Sequence, residues 1–295
     1  MQTFMQILLD AVSLGGLYSL YSLGIALVFG VSKIINFAQG AIITVSAYML
    51  LVVGSLAWPI ATIIVLLVGV FAALLTERIV FLPARNRGAD GTTILIASFA
   101  VSVFLQNLLL LNFGARPLGV DFGSSLARFI NLGSVQLAAY DLLTISVTVL
   151  ALIALLAILR WTTIGLLIRA AALDETMLRL LGISSQRVIL LTMCASGFLA
   201  SLASLMMVLQ AGSVSLSMGV QPVLIAFIAT VIGGLGSLLG AVIVSFGLAL
   251  ATVALQEFLP ADLLAFRTAI LFLGIMVVLL VKPNGLFPPK TGERT

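Results

Sequence analysis

The chain contains no histidine, a single cysteine and little charge: 14 Lys and Arg and 10 Asp and Glu among 295 residues. Without histidine it lacks the commonest metal ligand and the one side chain that titrates near neutrality, and no metal site is expected. Cys194 alone excludes an internal disulfide. No phosphate-cradling G-x-x-x-x-G-K motif followed by Ser or Thr occurs, so ATP hydrolysis by that route is excluded. No nucleophile–base pair stands out, and no catalytic residue is assigned. The apolar runs carry no acid or base away from their ends, where Asp10, Glu77, Asp141, Arg160, Glu257 and Arg267 sit. A proton- or sodium-coupled carrier places acids within the membrane, so self-energised transport of that kind is not expected. The opening MQTFMQILLD lacks a basic region and a small-residue cleavage site, so no removable signal peptide is expected there.

What is present is apolar. Hydrophobic residues make up 62% of the chain and mean hydropathy is +1.31, which leaves too little polar surface to cover a soluble globule. A membrane span needs roughly 20 residues. Runs of that order near 11–32, 36–57, 59–81, 92–113, 139–159, 186–210, 222–234, 237–258 and 263–281 predict an all-α polytopic membrane protein. About eight transmembrane helices and one short broken helix are expected, in a single domain over 1–295. The runs at 36–57 and 222–234 are bounded by glycine or proline, the mark of a broken span whose freed backbone must be satisfied by other helices or a cavity.

The net charge of +4 reads as orientation rather than as a nucleic-acid surface. Basic clusters at Arg78, Arg85 and Arg87, at Arg160, Arg169, Arg179 and Arg187, and at Lys282, Lys290 and Arg294 go to the cytoplasm under the positive-inside rule. The loop at 114–138 then lies outside, although Arg116 and Arg128 soften the contrast. Counting back places the N-terminus outside and the C-terminus in the cytoplasm.

One stretch recurs. "GGLYSLYSL" at 15–23 aligns with "GFLASLASL" at 197–205, matching Gly15, Ser19 and Ser22 with Gly197, Ser201 and Ser204. The same spacing of 182 residues pairs Gln39 with Gln221 and "GSL" at 54–56 with "GSL" at 236–238. With the orientation above, the first copy runs inward and the second outward, so an inverted repeat is expected, its halves roughly 11–113 and 186–281. The small residues share a helix face, a packing surface on which each hydroxyl returns its proton to a carbonyl one turn back.

Three further features carry possible function. "INFAQG" at 35–40 and "GVQP" at 219–222 open the two broken helices, so Asn36, Gln39, Gly40 and Gln221 either meet a solute or cap the helix starts. "VIGGLGSLLGA" at 231–241, with Gly233, Gly234 and Gly236, suits close packing or a hinge. In 160–186, burying Arg169, Asp174, Glu175 and Arg179 would cost about 2.5–3.5 kcal/mol each at the bilayer centre, so the segment is expected outside the membrane. A short amphipathic helix there, closed by Gly182, either lies on lipid or docks a soluble partner.

These stretches, with "RAAALDETMLRLLGISSQR", "FIATVIGGLGSLLGA" and the ending "VKPNGLF", resemble the Liv-type permease subunits of ATP-binding cassette importers for branched-chain amino acids, most of all the shorter H-type subunit. The resemblance implies a permease of the bacterial inner membrane that works with a second, M-type permease, two cytoplasmic ATPases and an extracytoplasmic solute-binding protein. ATP and Mg would belong to the ATPases, and this chain would carry no cofactor. It also implies that Arg169, Asp174, Glu175, Arg179 and Gly182 belong to the helix that docks the ATPase. Family members read closer to "NFAHGE" where this chain has "NFAQGA", so Gln39 and Ala41 replace an imidazole and a carboxylate. The competing class is a standalone channel or facilitator for a small neutral solute such as urea or an amide, which paired broken helices would serve equally well.

Overall fold

The computed structural model describes residues 2–120, 122, 129–132, 135–173, 182, 184–282 and 285–287. In chain order its helices are α1 (Gln2–Ser32), α2 (Ala38–Val53), α3 (Trp58–Thr76), α4 (Leu82–Asn86), α5 (Gly91–Phe113), α6 (Ala139–Trp161), α7 (Thr163–Leu173), α8 (Ser185–Ala211), α9 (Val220–Gly233), α10 (Leu238–Phe258) and α11 (Arg267–Val281). A π-helical turn, Glu77–Phe81, joins α3 to α4, and a 3₁₀ turn, Ala261–Phe266, precedes α11. Short strands are confined to one end of the bundle: β1 (Leu118–Gly119) pairs antiparallel with β4 (Ser213–Val214), and β2 (Phe129–Leu132) with β3 (Val135–Ala138).

Among the described residues seven helical segments are long and apolar enough to cross a membrane, and the chain is a multi-pass membrane protein. Two further helices, α2 and α9, are too short for a full crossing. At 1.5 Å per residue α2 reaches about 24 Å and α9 about 21 Å, against about 30 Å of hydrocarbon. Both runs read as broken in the sequence, and the expected count of eight spans and one short helix treats 36–57 as a full crossing. The second short helix arises because α2 stops at Val53 where the apolar run continues to residue 57: Gly54 and Ser55 leave the helix, and Pro59 at the next helix start stops the run being continuous.

The core is built on α1 and α8. Of the most apolar stretch of α1, 83% is buried inside the protein, against 6% for the span ending at Val281, so α1 is central and α11 peripheral. α1 packs along α8, α9 and α10, and α8 packs along α1, α2 and α3. The recurring glycine and serine faces make both alliances possible. Ser19 Oγ donates to the Gly15 carbonyl (2.7 Å) and Ser201 Oγ to that of Gly197 (3.0 Å), so each hydroxyl is satisfied within its own helix. Ser22 and Ser245 share a hydrogen bond of 2.8 Å between α1 and α10, while Gly197 lies against the backbone of Gly69 and Val70 in α3. The spacing of 182 residues extends to whole elements: α2 begins at Ala38 and α9 at Val220, and α1 and α3 have counterparts in α8 and α10 within two residues at their starts.

The two short helices meet start to start. A Cβ on Gly219 would fall on the carbonyl oxygen of Gly40 and 2.5 Å from Thr44 Oγ1; one on Gly40 would lie 2.5 Å from the Gly219 carbonyl oxygen and 2.8 Å from Val223 Cγ2. Backbone therefore lies against backbone, and only glycine fits at either position. The turn between α9 and α10 is equally tight: Gly233 abuts the backbone of Gly240 and Ala241, Gly234 and Gly236 adopt φ of 98° and 92°, and Leu286 N donates to the Ile232 carbonyl at 2.6 Å. Backbone again lies against backbone at this turn.

Gly219→Ala and Gly40→Ala are expected to lower the melting temperature of the purified protein in detergent strongly or to abolish monodisperse material, because neither carbonyl can retreat without breaking a helix start. Gly247→Ala, where a Cβ would meet nothing within 4 Å, is the control: it should leave melting unchanged or raise it slightly, by at most about 1 kcal/mol of helix propensity.

Candidate functional site

The start of α2 is held by polar groups drawn from three helices. Asn36 Oδ1 accepts from the Ala38 amide (3.0 Å) and the Phe37 amide donates to Ser98 Oγ of α5 (3.1 Å), so two donors that the helix itself leaves unpaired are capped. Asn36 is 3% exposed and its Nδ2 has no partner among the described residues. Gln39, 2% exposed, donates from Nε2 to the Ser196 carbonyl (3.1 Å) and accepts from Ser196 Oγ (2.8 Å), while that hydroxyl also reaches the Gly24 carbonyl at 3.1 Å. The amide thereby ties α2 to α8 and α1. Buried in apolar surroundings, such a satisfied pair is worth most as a fastening.

Gln221 is exposed and faces elsewhere. It lines a cavity of about 230 Å³ bounded by α1, α9, α10 and α11, together with Tyr18, Thr252, Gln256, Arg267 and Thr268. Leu14, Ile225, Leu271 and Phe272 form its apolar walls. Leu14 and Gln256 also line a second cavity of about 320 Å³, ringed by Gln6, Asp10, Ser13, Tyr140, Asp141, Gln210 and Glu257. Ser13 Oγ donates to Asp141 Oδ1 at 2.7 Å and Gln6 Nε2 to Asp10 Oδ1 at 3.1 Å. The two cavities therefore adjoin at the end of the bundle where α1, α6 and α11 begin and α8 and α10 finish. Asn36 and Gln39 line neither. Of the residues expected at the two helix starts, Asn36, Gln39 and Gly40 stand at the packed junction of the short helices, and Gln221 lines the 230 Å³ cavity.

The residues that sequence reasoning did not select are Asp10, Asp141, Gln256, Glu257 and Arg267. Their signal was positional, since each lies near the end of an apolar run and the predicted topology places all those ends on one side. A larger groove between α10 and α11, about 800 Å³, is lined only by apolar side chains and glycines such as Gly247 and Gly274 and offers nothing to orient a polar solute.

At the opposite end, α7 follows α6 after Thr162, whose Oγ1 accepts from the Gly165 amide at 3.1 Å. Arg169 Nε donates to the Gly165 carbonyl at 3.4 Å, and Ile168 and Ala171 turn inward. Gly182 is exposed with φ 76°, the left-handed conformation expected of a helix-ending glycine. Asp174, Glu175 and Arg179 lie outside the described residues. The buried Glu77 is paired with Arg85 across the π turn, and Asp90 caps α5 by accepting from the Thr93 amide at 3.0 Å. The Thr93 hydroxyl and amide hold the Asp90 carboxyl below the usual carboxylate range.

The family model for the branched-chain amino acid transport system permease component matches residues 7–281. The chain belongs to that permease family. It is 28% identical to the high-affinity branched-chain amino acid transport system permease protein LivH of Escherichia coli K12, over 96% of this chain and 95% of the relative. It is 27% identical to BraD of Pseudomonas aeruginosa over the same shares, and 27% identical to a probable LivH of Methanocaldococcus jannaschii over 95% and 91%. No solved structure matches the chain. The permease is thus matched across its whole bundle, from the first helix to the last.

Gln39→Leu should lower the stability of the permease by about 1–3 kcal/mol, since two hydrogen bonds are lost and Ser196 is left partnered only by Gly24. Gln221→Leu, at an exposed position, should leave thermal melting within about 0.5 kcal/mol of wild type. Parallel melts in one detergent check the contrast.

Proposed function

We propose that this chain is the membrane-spanning permease subunit of an ATP-driven importer for branched-chain amino acids in the bacterial inner membrane. The family match over residues 7–281 carries the reading, and the names of the relatives supply the solute class. The N-terminus lies outside and the C-terminus in the cytoplasm, so the two adjoining polar cavities open outward. Solute delivered there by a binding protein meets amides and carboxylates at the rim and aliphatic walls below, ending at Gln221, where α9 begins.

The permease itself does no bond chemistry. Two ATPases bind ATP and Mg and close beneath the segment at 160–186, with Arg169, Asp174, Glu175, Arg179 and Gly182 forming the docking helix. A second, M-type permease completes the path. Closure favours one of two states with different affinity for solute, which sets direction. The two triplets α1–α3 and α8–α10, related by one sequence spacing and by reciprocal glycine–serine packing, are the halves of an inverted repeat. Their short helices α2 and α9 meet near the midplane.

The test is purification with the partners and reconstitution into vesicles. ATP-dependent accumulation of leucine that requires a copurified ATPase is the expected result. Passive flux of urea or leucine from the permease alone would overturn it in favour of a facilitator. Within the importer, reversing charge at Glu175 or Arg179 should weaken ATPase copurification.

A further inference from the structure

Arg267 is unusual among the basic residues in its placement. It opens α11, is half-buried, lines the 230 Å³ cavity and donates from Nη1 across to Gln256 Oε1 of α10 at 2.8 Å. An arginine that only anchors a helix end at the interface extends toward the headgroups. Among the described residues no carboxylate lies within ion-pair distance of it. The guanidinium has five N–H donors in a rigid fork, and the bond to Gln256 uses one of them. Gln256 is shared with the adjoining cavity, in which Asp10, Asp141 and Glu257 gather negative charge. The cavity floor beyond Arg267 is apolar, with Leu271 and Phe272, and its volume equals that of about eight liquid waters.

A fork without a counter-ion, set in a small cavity with an apolar floor, matches a carboxylate joined to an apolar group. A bare carboxylic acid would meet three carboxylates at the mouth. A dipolar ligand keeps its ammonium toward them and is not repelled. We propose that Arg267 is a binding residue for the α-carboxylate of a zwitterionic amino acid, seated against Gln256 with its side chain toward Leu271 and Phe272 and its ammonium toward the acidic cavity. This rests on the transport reading above and deepens it by naming how the solute is oriented.

The experiment measures equilibrium binding of radiolabelled leucine to the purified permease–ATPase complex without a binding protein, with leucinamide, which lacks the carboxylate, as competitor. Cys194→Ser removes this chain's one thiol, and the same complex with Arg267 intact, treated with each reagent, controls for thiols on the partners. Wild type should prefer leucine over leucinamide. Arg267→Cys should bind leucine about tenfold or more weakly, the loss of a charge-assisted hydrogen bond, and lose the preference. Modification with a cationic methanethiosulfonate in detergent should restore both, whereas an anionic one should not. Unchanged affinity and preference in Arg267→Cys, or equal restoration by both reagents, would overturn the proposal. A helix anchor would lower melting yet keep the preference. If Arg267→Cys does not assemble, Arg267→Lys, which keeps charge without the fork, is read in the same assay: weaker binding supports the site and wild-type binding rejects it. A wild-type complex that accumulates leucine with ATP but binds none here rejects the carboxylate site alone; one that accumulates none rejects the importer itself.

Discussion

The contact on which the rest of the bundle depends is backbone against backbone, Gly40 on Gly219, where two helices start inside the protein. In hydrocarbon an unpaired amide or carbonyl costs several kcal/mol, so a helix can begin at that depth only where its first donors find partners. Asn36 and Ser98 supply them for α2, and the glycine pair removes the side chains that would hold the two starts apart. Everything flanking the junction serves that closeness. The Gln39–Ser196 tie fixes α2 against α8 and α1, and small residues let α1 approach α10 while α8 approaches α3.

Much of this was legible in the chain because the signals are local. Helix runs read from hydropathy agree with the observed elements to within a few residues for most spans. The recurrence of "GGLYSLYSL" as "GFLASLASL" announced a shared packing face, and Ser19 and Ser201 make the same bond to Gly15 and Gly197. What stayed hidden is non-local. Nothing near Gln39 in sequence announces Ser196, 157 residues away, so a capping or solute-facing amide could not be told from a fastening one. The helical loss after Val53 was obscured because apolarity continues past the point where Gly54 and Ser55 end the hydrogen-bonded run. The cavity residues were visible only as charges at run ends, which every membrane protein has.

Polarity in the bundle divides into two kinds. Within the spans, serines and threonines dominate, and most return their protons to a carbonyl one turn back, as Thr44, Thr192, Thr230 and Ser245 do. They allow close packing without leaving a donor unsatisfied. Charge is kept to the ends, and the ends differ. At the corner of α3 and α4 the buried Glu77 is neutralised by the partly exposed Arg85, without which its charge would be costly. At the opposite end, Asp10, Asp141, Glu257 and Arg267 surround open space without pairing with one another among the described residues.

The two regions also differ in what movement would cost. Displacing α1 or α8 would open the glycine–serine interfaces and expose buried surface on several helices, each lost aliphatic contact costing on the order of 1 kcal/mol. Displacing α11 would not, because only 6% of its most apolar stretch is buried. Elements with few buried contacts are those that move at low free energy. α11 carries Arg267, Leu271 and Phe272, one wall of the smaller cavity, whereas the opposing wall, Leu14 and Tyr18, belongs to the central helix α1. A cavity with one anchored and one loosely held wall can change volume while the junction at Gly40 and Gly219 stays intact, which is the division of labour an alternating path requires.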